Sequence, residues 1–113
     1  MLTSEWQKDE YSHLLDEVLR RLVQAYQPEK IYLFGSRARG ESGLDSDFDL
    51  MILVSDRSPA DKKRSRLAYQ ALRGTGFPAD ILVWTTRAFD ERLHLKASLP
   101  STILQEGKLL YAA

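Results

Sequence analysis

Asp47 and Asp49 stand two residues apart at the head of an apolar run, Leu50-Met51-Ile52-Leu53-Val54. In an extended strand residues two apart face the same side, with Cα atoms about 6.6–7 Å apart, so both carboxylates are presented to one spot. Asp80 opens a second apolar run, Ile81-Leu82-Val83-Trp84, and joins the pair if the two strands lie side by side. Two ionised carboxylates about 5 Å apart repel by about 3 kcal/mol at an effective dielectric of about 20. Three of them therefore need a cation or strong pKa shifts. A hard divalent ion such as Mg²⁺ suits the set, because it takes oxygen ligands and keeps positions for water and substrate phosphates.

Upstream of the acids the chain reads Gly35-Ser36-Arg37-Ala38-Arg39-Gly40, entered directly from an apolar strand. Glycine lets backbone N–H groups approach a phosphate, the Ser36 hydroxyl can donate to it, and Arg37 and Arg39 offer planar forks. A phosphate cradle feeding a carboxylate pair is what triphosphate chemistry with Mg²⁺ requires. Two look-alikes fail on physical grounds. Gly35 to Ser42 is spaced like a P-loop, but Glu41 stands where a lysine should reach the phosphates and would repel them. Asp45, Asp47 and Asp49 mimic the start of a calcium loop, yet Leu50 occupies the position whose sharp turn needs glycine.

Together, Gly35 to Gly40, Ser46-Asp47-Phe48-Asp49-Leu50 and Asp80 before an apolar strand resemble the minimal nucleotidyltransferases of the DNA polymerase β-like superfamily, in outline across nearly the whole chain. The resemblance implies a small mixed sheet flanked by helices, an α/β (α+β) fold. It further implies that Gly35 and Ser36 hold the triphosphate of ATP and that Asp47, Asp49 and Asp80 are the catalytic carboxylates binding two Mg²⁺ ions. Two metals about 3.5–4 Å apart clamp the attacking and leaving oxygens of an in-line displacement. Asp80 would serve the ion nearest the acceptor and either take the acceptor's proton or act as a ligand alone. Arg37 or Arg39 would neutralise phosphate charge, or else pair with Glu41 or Asp45 at the surface.

A chain this small has little room to recognise an acceptor by itself. It looks like the antitoxin half of bacterial and archaeal HEPN/nucleotidyltransferase pairs, where the resemblance implies a hetero-oligomer and AMP transfer from ATP to a tyrosine of the HEPN toxin. Two other readings stay open: a binding module that neutralises its partner by covering it, and a small-molecule adenylyltransferase. The complete set of aspartates speaks against the first, and the missing helical domain against the second.

The elements that must position these residues are legible in outline. Tyr11, Leu14, Leu15, Val18, Leu19, Leu22, Val23 and Tyr26 share one helical face, Ser4 and Gln7 fit a capping box, and Pro28 ends the helix. Lys30 to Phe34 reads as a strand, residues 35–46 as a glycine- and serine-rich loop with room for one helical turn, and Asp47 to Val54 as a central strand. A second helix is expected from Pro59 through Lys62-Lys63-Arg64 to Leu72, with a strand from Asp80 to Trp84 after it. Thr85 or Thr86 can cap a third helix holding Phe89 and Leu93. A short helix from Pro100 to Glu106 stops at Gly107, and Lys108 to Tyr111 forms an edge strand.

Other conspicuous residues read as structural. His13 and His94 are placed in helices without a second ligand, the basic run Lys62 to Arg66 as a solvated helix face, and Trp84 and Phe89 as core. Leu99, Ile103 and Leu110 either close the core or offer a partner surface.

Composition limits the alternatives. The 113 residues suit one domain over 1–113, and 16 Lys and Arg against 16 Asp and Glu give no global charge for a dedicated DNA-binding role. Without cysteine there are no disulfides or thiolate ligands. No apolar run approaches the roughly 18 residues of a membrane span, and the polar N-terminus does not read as a signal peptide, so a cytoplasmic protein is expected.

Overall fold

The computed structural model describes residues 12–40 and 47–113. A 3-10 turn, Ser12–Leu14, tightens into helix α1 (Leu15–Tyr26), whose apolar stripe buries Leu15, Val18, Leu19, Leu22 and Tyr26. Gln27 stops the helix in the left-handed conformation (φ 49°), and its N–H bonds the Val23 carbonyl at 2.8 Å before Pro28. Tyr11 and the Ser4–Gln7 capping pair lie outside the described residues.

Among the described residues four strands follow: β1 (Lys30–Phe34), β2 (Phe48–Val54), β3 (Ala79–Thr85) and β4 (Lys108–Ala112). Their order is β3-β2-β1-β4, with β1 antiparallel to β2 and β4 and β2 parallel to β3. The sheet is therefore mixed, and the helices pack on both of its faces. The inner position of β2 explains its unbroken apolar run, since both faces need covering. Alternation along the strands divides the core. Leu33, Leu50, Ile52 and Ile81 meet α1 and the short helix α3 (Arg66–Ala71). Tyr32, Met51 and Leu53 meet Phe89 of α4 (Thr86–Glu91) and Ile103 of α5 (Leu99–Glu106) on the other face. One-turn helix α2 (Ser36–Arg39) lies between β1 and β2 in sequence.

Several expectations are corrected. The helix proposed from Pro59 to Leu72 is broken into a 3-10 turn, Ala60–Lys63, and α3, with Arg64 extended between them. The buried Tyr26 hydroxyl holds the break: it donates to the Arg64 carbonyl at 2.6 Å and accepts from the Ala68 N–H at 2.8 Å. Helix α4, capped by the Thr85 hydroxyl on Ala88 N–H at 3.1 Å, ends before Leu93, so His94 lies in an exposed turn and not in a helix. Ile103 and Leu110 are buried and close the core; the exposed apolar side chains nearby are Leu104 and Leu109. Among the described residues no helix is long and apolar enough to cross a membrane.

Candidate active site

The carboxylates come together through strand register. Asp49 pairs with Asp80 across the parallel β2–β3 ladder and with Phe34 across the antiparallel β1–β2 ladder. Residues two apart share a face, so Asp49 lies on the side of Met51 and Leu53, and Asp80 on the side of Leu82 and Trp84, which is the same α4/α5 side. Asp47 is exposed and sits one residue before β2 starts; the next N–H, that of Phe48, donates to the Pro78 carbonyl at 2.8 Å. Asp80 is exposed as well, and Asp49 is half-buried between them.

Charge crowding is visible at Asp49. Burial, then Asp80, then Asp47 push its carboxyl above the ordinary aspartate range, while Arg39 draws it back. Among the described residues no three Asp, Glu or His side chains gather closely enough to share one ion as they stand. Drawing these three carboxylates onto a cation therefore takes side-chain rotation, for which the exposure of Asp47 and Asp80 leaves room. The donor set itself fits a hard divalent ion, being anionic and oxygen-only.

Gly35 ends β1 and begins α2 with φ 77° and ψ −162°, a conformation essentially confined to glycine. A Cβ there would lie 2.1 Å from Asp49 Oδ2. The loop glycine is thus pressed against the central carboxylate. The Gly35 carbonyl accepts from the N–H groups of Ala38 and Arg39 at 3.1 and 3.2 Å, closing the single turn of α2.

The two arginines diverge. Arg39 is at the surface and reaches Glu106 of α5 at 3.5 Å, a partner that sequence proximity to Glu41 and Asp45 did not suggest. Arg37 is only 7% exposed, with its guanidinium carbon 4.0 Å above the centre of the Phe48 ring. Burial pushes Arg37 below its ordinary pKa, and Asp47 pushes it back up. Phe48 in turn stacks on Phe77, ring centres 4.5 Å apart. These aromatics carry no chemistry of their own in the motif, although Phe48, apolar between two acids, signals a buried anchor. Glu41, Asp45 and Ser46 lie outside the described residues.

The structure thus brings together a glycine-led turn abutting Asp49 and, in register on the adjacent parallel strand, Asp80. The chain belongs to the nucleotidyltransferase domain family, whose model matches residues 15–110. No curated protein matches it in sequence. In fold it is similar to a Sulfolobus solfataricus protein assigned as a nucleotidyltransferase, with a TM-score of 0.60 at 19% identity over 88% of this chain and 78% of the other. It is also similar to a chain of a toxin–antitoxin crystal structure with AMP-PNP, with a TM-score of 0.57 at 24% identity over 87% and 73%. A third is a chain of a mutant MntA–HpeT toxin–antitoxin structure, with a TM-score of 0.55 at 19% identity over 87% and 73%.

Proposed function

We propose that this nucleotidyltransferase moves AMP from ATP to a tyrosine hydroxyl of a HEPN-domain toxin and acts as the antitoxin of that pair. The observation that carries the transfer chemistry is the register of Asp49 with Asp80 beside Gly35. The fold shared with chains of toxin–antitoxin structures, one of them with AMP-PNP, supports the biological setting.

Gly35 and Ser36 bind the triphosphate through backbone N–H groups and the hydroxyl, since no side chain at residue 35 obstructs the approach to Asp49. Asp47 and Asp49, with Asp80, would hold Mg²⁺, which when bound neutralises phosphate charge and acidifies the acceptor hydroxyl. Asp80, exposed near the start of edge strand β3, is accessible to an acceptor and receives its proton. The acceptor oxygen bonds to the α-phosphorus, the bond from that phosphorus to the bridging oxygen breaks, and pyrophosphate leaves.

The test is incubation with Mg²⁺ and α-labelled ATP, with a HEPN-domain protein encoded beside it, with an aminoglycoside, or with neither, for wild type and Asp47→Ala. Label on a tyrosine of that protein, dependent on Asp47, is the expected result. Neutralisation in a tight complex without label would replace transfer by simple covering, and label on an aminoglycoside alone would make the acceptor a small molecule.

A further inference from the structure

The contact between Arg37 and Phe48 lies along the back of the candidate site. Its guanidinium covers the Phe48 ring, and Phe48 covers Phe77. Each layer belongs to a segment that carries part of the site: Arg37 follows Ser36, Phe48 separates Asp47 from Asp49, and Phe77 precedes the strand that begins beside Asp80. The Phe48 N–H to Pro78 carbonyl bond at 2.8 Å ties the second segment to the third. Phe48 and Phe77 belong to the core on the α1/α3 face, opposite the face that carries Asp49 and Asp80. The stack therefore sits behind the carboxylates and not in front of them.

We infer that Arg37 is a positioning residue, not a phosphate ligand: through Phe48 and Phe77 it fixes the aspartates relative to Gly35 and Ser36. The inference rests on reading Asp47, Asp49 and Asp80 as the metal-binding set. A planar guanidinium covers an aromatic face over its whole width, whereas an ammonium is a compact, strongly hydrated point charge. Lysine therefore cannot replace Arg37 in this role, although it could serve a phosphate. Support placed behind metal-binding groups typically changes metal affinity by about 10–100-fold when removed.

The experiment titrates Mn²⁺ by electron paramagnetic resonance, and separately ATP in excess EDTA, into wild type, Arg37→Met, Arg37→Lys, Phe48→Leu and the Arg37→Met/Phe48→Leu double variant. The expected result is Mn²⁺ binding weakened about ten-fold or more in all four variants. The double variant should be no weaker than the worse single, and metal-free ATP binding should stay within about two-fold throughout. Tyr26→Phe, destabilised away from the site, should keep wild-type Mn²⁺ affinity and so separate positioning from general loss of stability. If Arg37→Met does not fold, the lysine and Phe48 variants decide. Loss of metal-free ATP binding with Mn²⁺ affinity intact, or full rescue by lysine, overturns the inference. Failure of wild type to bind Mn²⁺ overturns the metal reading and the inference with it; wild-type binding unchanged in Arg37→Met sinks the inference alone.

Discussion

Replacing Gly35 by alanine tests how the site is assembled. Two penalties arise at once. The backbone at φ 77°, ψ −162° lies in a region essentially reserved for glycine, which strains alanine by about 1–3 kcal/mol. The new Cβ would also sit 2.1 Å from Asp49 Oδ2, well inside contact distance, so the carboxylate must move by more than an ångström. A misplacement of about 1 Å at a reacting centre can lower a rate by about 100-fold. The strain alone predicts a melting temperature lower by roughly 3–15 °C, taking about 3–5 °C per kcal/mol for a chain of this size. Gly74→Ala is the control, because Gly74 also has positive φ (85°) but no atom within 4 Å of where a Cβ would stand, and it has no part in the site. Circular dichroism melts and AMP transfer from α-labelled ATP should show both variants destabilised and only Gly35→Ala reduced in transfer, by about 100-fold or more. Equal activity in the two alanine variants would refute the reasoning that Gly35 matters for the space it leaves to Asp49.

Three further outcomes follow from other contacts. Asp49→Asn should raise stability at neutral pH while abolishing transfer, because burial and the neighbouring Asp80 and Asp47 oppose its charge. A carboxyl whose folded pKa lies above its unfolded value stabilises the fold below the unfolded pKa and loses that contribution as pH rises through the folded one; the advantage of asparagine should therefore appear on raising the pH through the acid range and vanish below it, which melts across pH 3–8 would show. Tyr26→Phe removes both hydrogen bonds that hold the break at Arg64, and chemical denaturation should report a loss of about 1–3 kcal/mol with transfer per folded molecule unchanged. Gly107→Ala has ordinary φ, yet its Cβ would lie 2.5 Å from the Ile103 carbonyl and 2.8 Å from that of Leu33, both backbone atoms; a loss of about 1–3 kcal/mol is expected, and a neutral result would show that α5 and β1 shift apart easily.

Much of the architecture was legible because its signals are local. The strand Lys30–Phe34 and the helix ending at Gly107 follow from β-branched and aromatic residues and from Pro100 and Gly107; the cap, the Ser98 hydroxyl accepting from Ser101 N–H at 3.2 Å, came only with the structure. The helix expected through Lys62-Lys63-Arg64 does not form as one piece because the atom that interrupts it, the Tyr26 hydroxyl, belongs to a residue far away in sequence. Arg39 illustrates the same limit: its partner Glu106 comes from the far end of the chain.

The residue types alone determined which groups are available: oxygen-only acids, a glycine-serine turn, and Asp47 and Asp49 two residues apart. They could not determine that β3 lies parallel against β2 with Asp80 opposite Asp49, because strand pairing is chosen by how two helix layers cover the sheet. Nor could they separate two arginines in one motif. Tertiary packing did so: a one-turn helix aims Arg37 onto an aromatic stack inside the protein and leaves Arg39 at its surface, since only one of the two directions is covered by core.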